Sequence, residues 1–447
     1  MEGWLVEQVV DMPQGYRMTE LGPLPEEWRV VRLGDIASFE TGKREKGGAK
    51  RNGDVLSIGG EHITEDGRID WSVSPKYISM AFFEQLRYGK VRQGDVLVVK
   101  DGARTGKSAY VYEVPKPGLA VNEHVFIVRA SSTEVEREFL GFWFRSEIAW
   151  DQVNLSYHGL IGGINRRDIE SFILSLPPLP EQRAIAYVLR TVQRAKEVTE
   201  RVIAALRELK KSLMKHLFTY GPVPLDQADQ VPLKETEIGP VPEHWKVIPV
   251  GHLGEIVTGT TPKTSEKQFY NGPYPFITPG DIDEGRYVWC TAKTLSKEGL
   301  KVSHIIPRGS VVVVCIGATI GKVALTTSEE SATNQQINAI IPNKNFVMSE
   351  FLYDAMCFRA PALPSLAGRA AVPIVNKSVF ASFLIPIPPL PEQHDISHIL
   401  QTIDRKIEVE ENRKQALEAL FKTLLHHLMT AKLRVPPKLI AEVTVRE

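Results

Sequence analysis

The sequence predicts an internally duplicated α+β protein. Two related globular domains are separated by two long antiparallel helices, which form a coiled-coil-like, pseudo-twofold spacer. Three observations carry this: a repeat more than 200 residues long, short β-like runs broken by Gly, Pro and Asn, and two long stretches without Pro or Gly.

The repeat comes first. Thr19–Gly42 and Thr236–Gly259 are identical at 11 of 24 positions, 217 residues apart. The run from Val91 matches the run from Ile306 at an offset of 215, and Pro177–Leu189 matches Pro388–Leu400 at 8 of 13 positions and an offset of 211. A shrinking offset is what loops of different length leave between two copies of one fold. A period this long is a duplicated domain rather than a solenoid unit. The layout that follows is an N-terminal extension (1–18), a first globular domain (19–176), a first long helix (177–219), a linker (220–235), a second globular domain (236–387), a second long helix (388–431) and a C-terminal tail (432–447).

Within each globular domain, Val96–Val99 and Val311–Val314 are continuous apolar runs, which predict strands buried on both faces. Gly102 and Gly106, like Gly317 and Gly321, suit a tight turn after such a strand. Helical patterning appears at Glu134–Arg145 and Ser349–Arg359. Asn165 with Asp168, and Asn376 in the second copy, read as helix N-caps.

The helices follow. Beyond Pro180 no Pro or Gly occurs until Gly221, and Pro180 stands where a first-turn proline is tolerated. Apolar residues recur at steps of three and four, through Val202 and Leu209 among others. Ile185, Val192, Leu206 and Leu213 are the expected pairing positions on the first helix, and Ile396, Ile403, Leu417 and Leu424 on the second. Each helix has one apolar stripe and needs a partner, and the other copy is the simplest one.

Composition limits the function classes. At 447 residues, with 43% hydrophobic and 24% charged residues, this is a globular chain too long for one ordinary core. Net charge is zero, which counts against a uniformly basic nucleic-acid binder and leaves local charge to decide. Cys290, Cys315 and Cys357 form no metal or disulfide pattern and fit a reducing cytoplasm. Glu2 and Glu7 argue against a signal peptide, and no run approaches the roughly 18 apolar residues of a membrane span.

No catalytic constellation is complete, so a non-enzymatic chain is expected. Asp101–Ser108 (DGARTGKS) ends like a phosphate-binding loop but has Asp where the first Gly belongs, and a strand-turn glycine pair is the better reading. Asn271-Gly-Pro-Tyr274 approaches the motif of adenine methyltransferases but lacks its first Pro and any glycine-rich cofactor loop, so a turn is expected. His394 and His398 stand at i, i+4 with no further metal ligand.

Local polar chemistry remains. Lys43, Arg44, Lys46, Lys50 and Arg51 surround Gly47-Gly48 in a loop suited to phosphates. Lys263 and Lys267 stand in the corresponding segment of the second copy. Arg104 and Lys107, with Lys322 in the second copy, lie beside the glycine turns. Asn122 and His124 match Asn334, Gln335 and Gln336, and Asn, Gln, Arg and Lys are the side chains that read base edges. Polar residues that differ within a shared frame are what two readers of different bases would show.

The twice-occurring Gly-x-x-Pro-x-x-Trp (Gly22, Pro25, Trp28; Gly239, Pro242, Trp245) and Pro-Pro-Leu-Pro-Glu-Gln (Pro177–Gln182; Pro388–Gln393), with variable domain and long helix alternating, cover nearly the whole chain. In these features the chain resembles the specificity subunits of Type I restriction-modification enzymes. The resemblance implies that each globular domain is a target-recognition domain reading one half of a split double-stranded DNA site. It implies that the helices set the spacing and dock two modification subunits, with restriction subunits joining them. S-adenosylmethionine, ATP and Mg are then expected on those partners, with no cofactor, metal or catalytic residue on this chain. A protein scaffold built on the paired helices, and a degenerate nucleotide-binding enzyme using Asp101–Ser108, are the competing readings.

Overall fold

The computed structural model describes residues 12–445 apart from 13, 158–161, 284 and 369–371. Most of the expected N-terminal extension, with Glu2 and Glu7, lies outside the described residues. The chain divides into two compact units, one of residues 1–198 with 414–447 and one of residues 199–413. Each unit therefore holds one globular domain and a part of both long helices.

In the first unit the expected boundary at residue 19 falls inside a strand, since Tyr16–Thr19 pairs with Gly22–Pro25. Gly22 turns this hairpin at φ +90°, a conformation that only glycine adopts without strain. Arg29–Arg32 pairs antiparallel with Ile173–Leu176, so the start and the end of the globular domain meet. Between them a four-stranded antiparallel sheet runs in the order Ala37–Thr41, Val125–Ala130, Val96–Val99, Ser108–Tyr110. Val96–Val99 is apolar throughout because the sheet is covered on both sides. Val96 and Val98 face a core with Phe139, Leu140 and Trp143, while Leu97 and Val99 face one with Ile58, Ile63 and Leu119.

The second unit repeats this plan. Lys246–Pro249 pairs with Leu384–Ile387. A five-stranded sheet runs in the order Gly254–Thr258, Ile337–Pro342, Val311–Val314, Val323–Thr326, Tyr287–Val288. Val311 and Val313 pack with Phe351, Leu352 and Met356, and Val312 and Val314 with Ile277, Ile282 and Ile306. Asn165 and Asn376 cap short helices as expected: Asn165 accepts from Arg167 and Asp168 backbone N–H groups, Asn376 from that of Val379.

The long helices span Leu179–Tyr220 and Leu390–Met429. In the first unit Lys196 Nζ lies 3.8 Å from Glu418, and Arg434, just past the second helix, bonds Glu181 at the start of the first. In the second unit Arg207 bonds Glu411 at 2.8 Å and Lys210 bonds Asp404 at 2.5 Å. Within each unit, then, the two helical segments run antiparallel.

The seam differs from the expected one. Ile185 and Ile396 are fully buried, but Val192, Leu206, Leu213, Ile403, Leu417 and Leu424 are only half-buried. Val202 and Leu209 are exposed, while Gln193, Lys196, Thr199 and Glu410 are buried. The middle of each helix turns polar side chains inward, because the groups they meet are polar. The expected tail is not a tail: Pro437–Val445 is a helix, and Leu439 and Ile440 pack against the first unit's core beside buried Val435.

The turn expected at Asp101–Ser108 is found, whereas the one expected at Asn271–Tyr274 is instead an irregular stretch of strand. Gly102 and Gly106 both have φ of +86°, and strands rather than a helix flank them, so Asp101–Ser108 is a hairpin turn. Asn271, at φ +62°, sits in an irregular pairing of strand Tyr270–Ile277. The His394 and His398 rings stack, and among the described residues no group of three His, Cys, Asp or Glu is placed to hold a metal.

Candidate DNA-reading surfaces

In both units the loop leaving the first sheet strand is brought beside the Asn-x-x tripeptide by the same device. A Cβ on Gly42 would lie 1.6 Å from the Val121 carbonyl oxygen, and one on Gly259 would lie 2.1 Å from that of Asn334. Only glycine permits that approach. It places residues 43–51 next to Asn122–His124, and residues 260–267 next to Asn334–Gln336.

The first loop carries five cations and one carboxylate. That carboxylate, Glu45, is committed: it accepts from the Ser79 hydroxyl at 2.5 Å and the Ser79 N–H at 3.2 Å. The Lys50 backbone is tied to Tyr77 in both directions. Lys43, Arg44, Lys46, Lys50 and Arg51 are all exposed and form no ion pair with a described residue. The loop is thus anchored through its acid and its backbone, leaving its positive charge to solvent. Its counterpart is sparser. Lys263 is exposed with Glu266 3.8 Å away, Lys267 is exposed, and Gln335 accepts from the Thr261 hydroxyl at 2.5 Å.

Other expected contacts already have partners within their own unit. Arg104 donates to the carbonyls of Glu61 and Ile63 at 2.8 and 3.2 Å, and Lys107 bonds Glu65 at 2.7 Å. Lys322 donates to the Ile282 carbonyl at 2.6 Å. These three bonds tie the glycine turn of each unit to a neighbouring loop. Asn122 accepts from the His124 N–H, and the His124 ring lies 2.7 Å from Asp101. Asn334 and Gln336 bond each other. Only edges of these polar groups remain available.

Each domain is also fastened to the long helices of its own unit. Trp28 Nε1 donates to Glu181 at 2.9 Å, and Trp245 Nε1 to Glu392 at 2.8 Å. The two repeated motifs are therefore one clamp each, the Trp of the first bonding the Glu of the second. Gln182 completes it by accepting from Glu136 N–H and donating to Glu134 and Pro177 carbonyls; Gln393 does the same with Met348, Phe346 and Pro388. Neither clamp was among the expected contacts, since the partners lie 153 and 147 positions apart.

A second fastening uses the hairpin Glu65–Arg68 in the first unit and Arg286 in the second. Asp66 bonds Lys196 at 2.8 Å beside a cavity of about 400 Å³ lined by Arg145, Trp150 and Phe421. Burial opposes the Asp66 charge, but Lys196, Thr64 and Arg68 more than offset it and hold its carboxyl well below the usual range. In the second unit the polarity is reversed. Buried Arg286 bonds Asp354 at 2.7 Å and Asp404, on the long helix, at 2.8 Å.

The chain is thus a duplicated one, in which each domain pairs a glycine-gated polar surface with a clamp on a long helix. Its relatives make this specific. The profile of the Type I restriction modification DNA specificity domain matches residues 25–208 and 242–419, and the chain belongs to that family. A putative type I restriction enzyme specificity subunit, MjaX, of Methanocaldococcus jannaschii is 27% identical over 443 residues, covering 94% of this chain and 97% of the relative. The HindI specificity subunit of Haemophilus influenzae is 36% identical over 155 residues, a third of each chain. The S subunit from M. genitalium shares the fold with a TM-score of 0.57 at 14% identity, over 90% of this chain and 96% of that one. The chain is a Type I specificity subunit with two DNA-recognition domains. No helix among the described residues is long and apolar enough to cross a membrane.

Proposed function

We propose that each globular domain reads one half of a bipartite DNA target, while the long helices set the gap and dock two modification subunits. The observation that carries this is the shared glycine-gated frame with divergent polar chemistry. One copy presents the Lys43–Arg51 loop beside Asn122-Glu-His124; the other presents Thr260–Lys267 beside Asn334-Gln-Gln336. One scaffold holding different hydrogen-bonding edges suits two different base sequences. In this reading the exposed loop cations contact phosphates, Gln335 and the free edges of Asn122 and His124 meet bases, and Arg104, Lys107 and Lys322 shape the surface.

The chain itself performs no chemistry in this reading, since neither glycine turn forms a nucleotide cradle. S-adenosylmethionine belongs to the modification subunits, ATP and Mg to restriction subunits, and the complex works in the cytoplasm. Methyl transfer by the purified single chain would contradict this. The deciding experiment exchanges residues 29–176 for the matching domain of a relative and maps methylated adenines in cells that also express the modification subunit. One half of the methylated sequence should change and the other stay. Change in both halves would defeat the modular reading.

A further inference from the structure

Arg145, in the first unit, is a cation withdrawn from water with no acid bonded to it. Arg129, Arg286 and Arg434 are each bonded by two carboxylates: Asp95 and Glu40, Asp354 and Asp404, and Glu181 and Glu27. Arg145 forms no ion pair with a described residue. Its Nη1 donates to the Gln193 side-chain oxygen at 2.7 Å, and its guanidinium lies 4.5 and 5.6 Å from the centres of the Phe421 and Phe142 rings. Most of its N–H donors remain unused. Burial pushes the guanidinium down to about 10, against the pull of Asp66.

Arg145 lines the cavity of about 400 Å³ in the first unit, a volume typical of small-molecule pockets. The globular domain supplies one wall, with Lys107, Ser108 and Trp150, and the two long helices supply the other, with Gln193, Phe421 and Lys422. Four cations and three carboxylates line it in all. The carboxylates have partners: Glu65 bonds Lys107, Asp66 bonds Lys196, and Glu418 lies 3.8 Å from Lys196. Arg145 and the exposed Lys422 are the cations left over. Ser108 Oγ is buried in the same wall and bonds no described group. Gln193 is spent at both ends, accepting from Arg145 and donating to Glu197. The unmatched groups are therefore donors, and what they lack is an acceptor that carries negative charge. Trp150, Phe421 and buried Leu425 give the cavity an apolar side as well.

We propose that this cavity is a binding site for a small organic anion, a carboxylate or phosphate ester with an apolar body. The anion's oxygens accept from Arg145 and the Ser108 hydroxyl, with Lys422 at the rim, and the apolar body lies along Trp150 and Leu425. The walls belong to the globular domain and to the helices, so an occupant fastens one to the other beside the Asp66–Lys196 pair. Occupancy stabilises the first unit, because only the folded unit has the site. The site is separate from the DNA-reading surface and does not depend on it.

The test titrates benzoate and phenyl phosphate into the full chain at constant ionic strength, with affinity and stoichiometry from calorimetry and the melting temperature as a second readout. At least one of the two anions should bind saturably, one equivalent per chain, and raise the melting temperature. Benzyl alcohol, similar in shape to benzoate but neutral, should bind about ten-fold more weakly or worse. Arg145→Gln should weaken the anion by about ten-fold or more, the loss expected of a charge-assisted hydrogen bond. Lys422→Gln, on the rim, and Ser108→Ala should each weaken it by about two- to five-fold, and these two carry the test if Arg145→Gln fails to fold. No saturable binding of either anion up to about 10 mM overturns the proposal. Equal affinity for benzyl alcohol overturns the anion assignment and leaves an apolar cavity. Anion affinity untouched by both Lys422→Gln and Ser108→Ala places the binding elsewhere and overturns the site. Displacement of the bound anion by the modification subunit would assign the cavity to an acidic side chain of that partner and overturn the small-molecule reading.

Discussion

Glu181 and Glu392 do the same job in different company. Glu181 is buried, bonded by Trp28 and by the Arg434 guanidinium at 2.6 and 2.8 Å. Glu392 is bonded by Trp245 and by His244, and its side chain is 25% exposed. A buried donor left without its acceptor costs about 1–3 kcal/mol, and more where the donor is charged. Glu181→Ala strands the buried Trp28 indole N–H and leaves the Arg434 guanidinium with Glu27 alone, and is expected to lower the unfolding free energy by about 2 kcal/mol. Glu392→Ala should lower it by about half as much, since water reaches the His244 side. Urea denaturation of the two variants checks the order, and equal losses would mean that Arg434 contributes nothing. On the DNA side, the five cations of Lys43–Arg51 form no ion pair with a described residue. Replacing Lys43, Arg44 and Lys46 with Ala should reduce the log–log salt slope of the assembled complex by about 0.9 for each phosphate that the loop no longer neutralises. The preferred sequence should hardly change. An unchanged slope would remove the loop from the DNA surface.

At the scale of elements, the hairpin Glu65–Arg68 is fixed to the first long helix by an ion pair whose acid is held below its ordinary range. An acid with a depressed folded-state pKa stabilises the fold above its unfolded value, near pH 3.9, and that contribution is lost as pH falls below it. The first unit should therefore lose stability below about pH 4, and Asp66→Asn should flatten that acid limb while lowering stability at pH 7. Urea midpoints measured from pH 2 to 7 test it; parallel curves for variant and wild type would show that the pair contributes nothing. The same pairing explains what the sequence concealed. Counting apolar residues at steps of three and four located both long helices to within a few residues. It misplaced their inner face, because Gln193 and Lys196 are buried against Arg145, Asp66 and Glu418, which apolar periodicity does not register. Val202 and Leu209 fit the count and stand in water. The strands were legible because Val96–Val99 and Val311–Val314 are buried on both faces. The C-terminal helix was missed, although Val435, Leu439, Ile440 and Val443 keep helical spacing, because Pro436-Pro437 reads as a break. Of the proposed reading surface, the loop cations were legible as charge. The bonds of Arg104, Lys107 and Lys322 were not, since backbone carbonyls, and a Glu65 carboxylate 42 positions from Lys107, carry no sequence signature.

At the scale of the molecule, each long helix passes without a break from one unit into the other: the division falls at residues 198–199 in the first and 413–414 in the second. If the helices set the distance between the two DNA-reading domains, lengthening both at that point should lengthen the gap in the target. Seven residues inserted after Val198 and seven after Arg413 add about 10.5 Å of helix. Seven residues turn the chain by about 700°, so the inner face returns to within about 20° of its direction and each unit keeps its own antiparallel pairing. Inserting in both helices matters, because a single insertion would set Lys196–Glu418 and Arg207–Glu411 in conflicting registers. DNA advances about 3.4 Å per base pair, so 10.5 Å corresponds to about three pairs. Three pairs also rotate the duplex by roughly a third of its turn of about 10 pairs, so one half-site must be approached from a new direction. The expected outcome is methylation of both original half-site sequences with a gap longer by two or three pairs, at a reduced rate set by that rotation. Adenine mapping in cells expressing the doubly extended chain with its modification subunit reads the gap directly. An extended chain that folds, assembles and methylates with the original gap would assign the spacing to the modification subunits, leaving the helices as their docking surface alone.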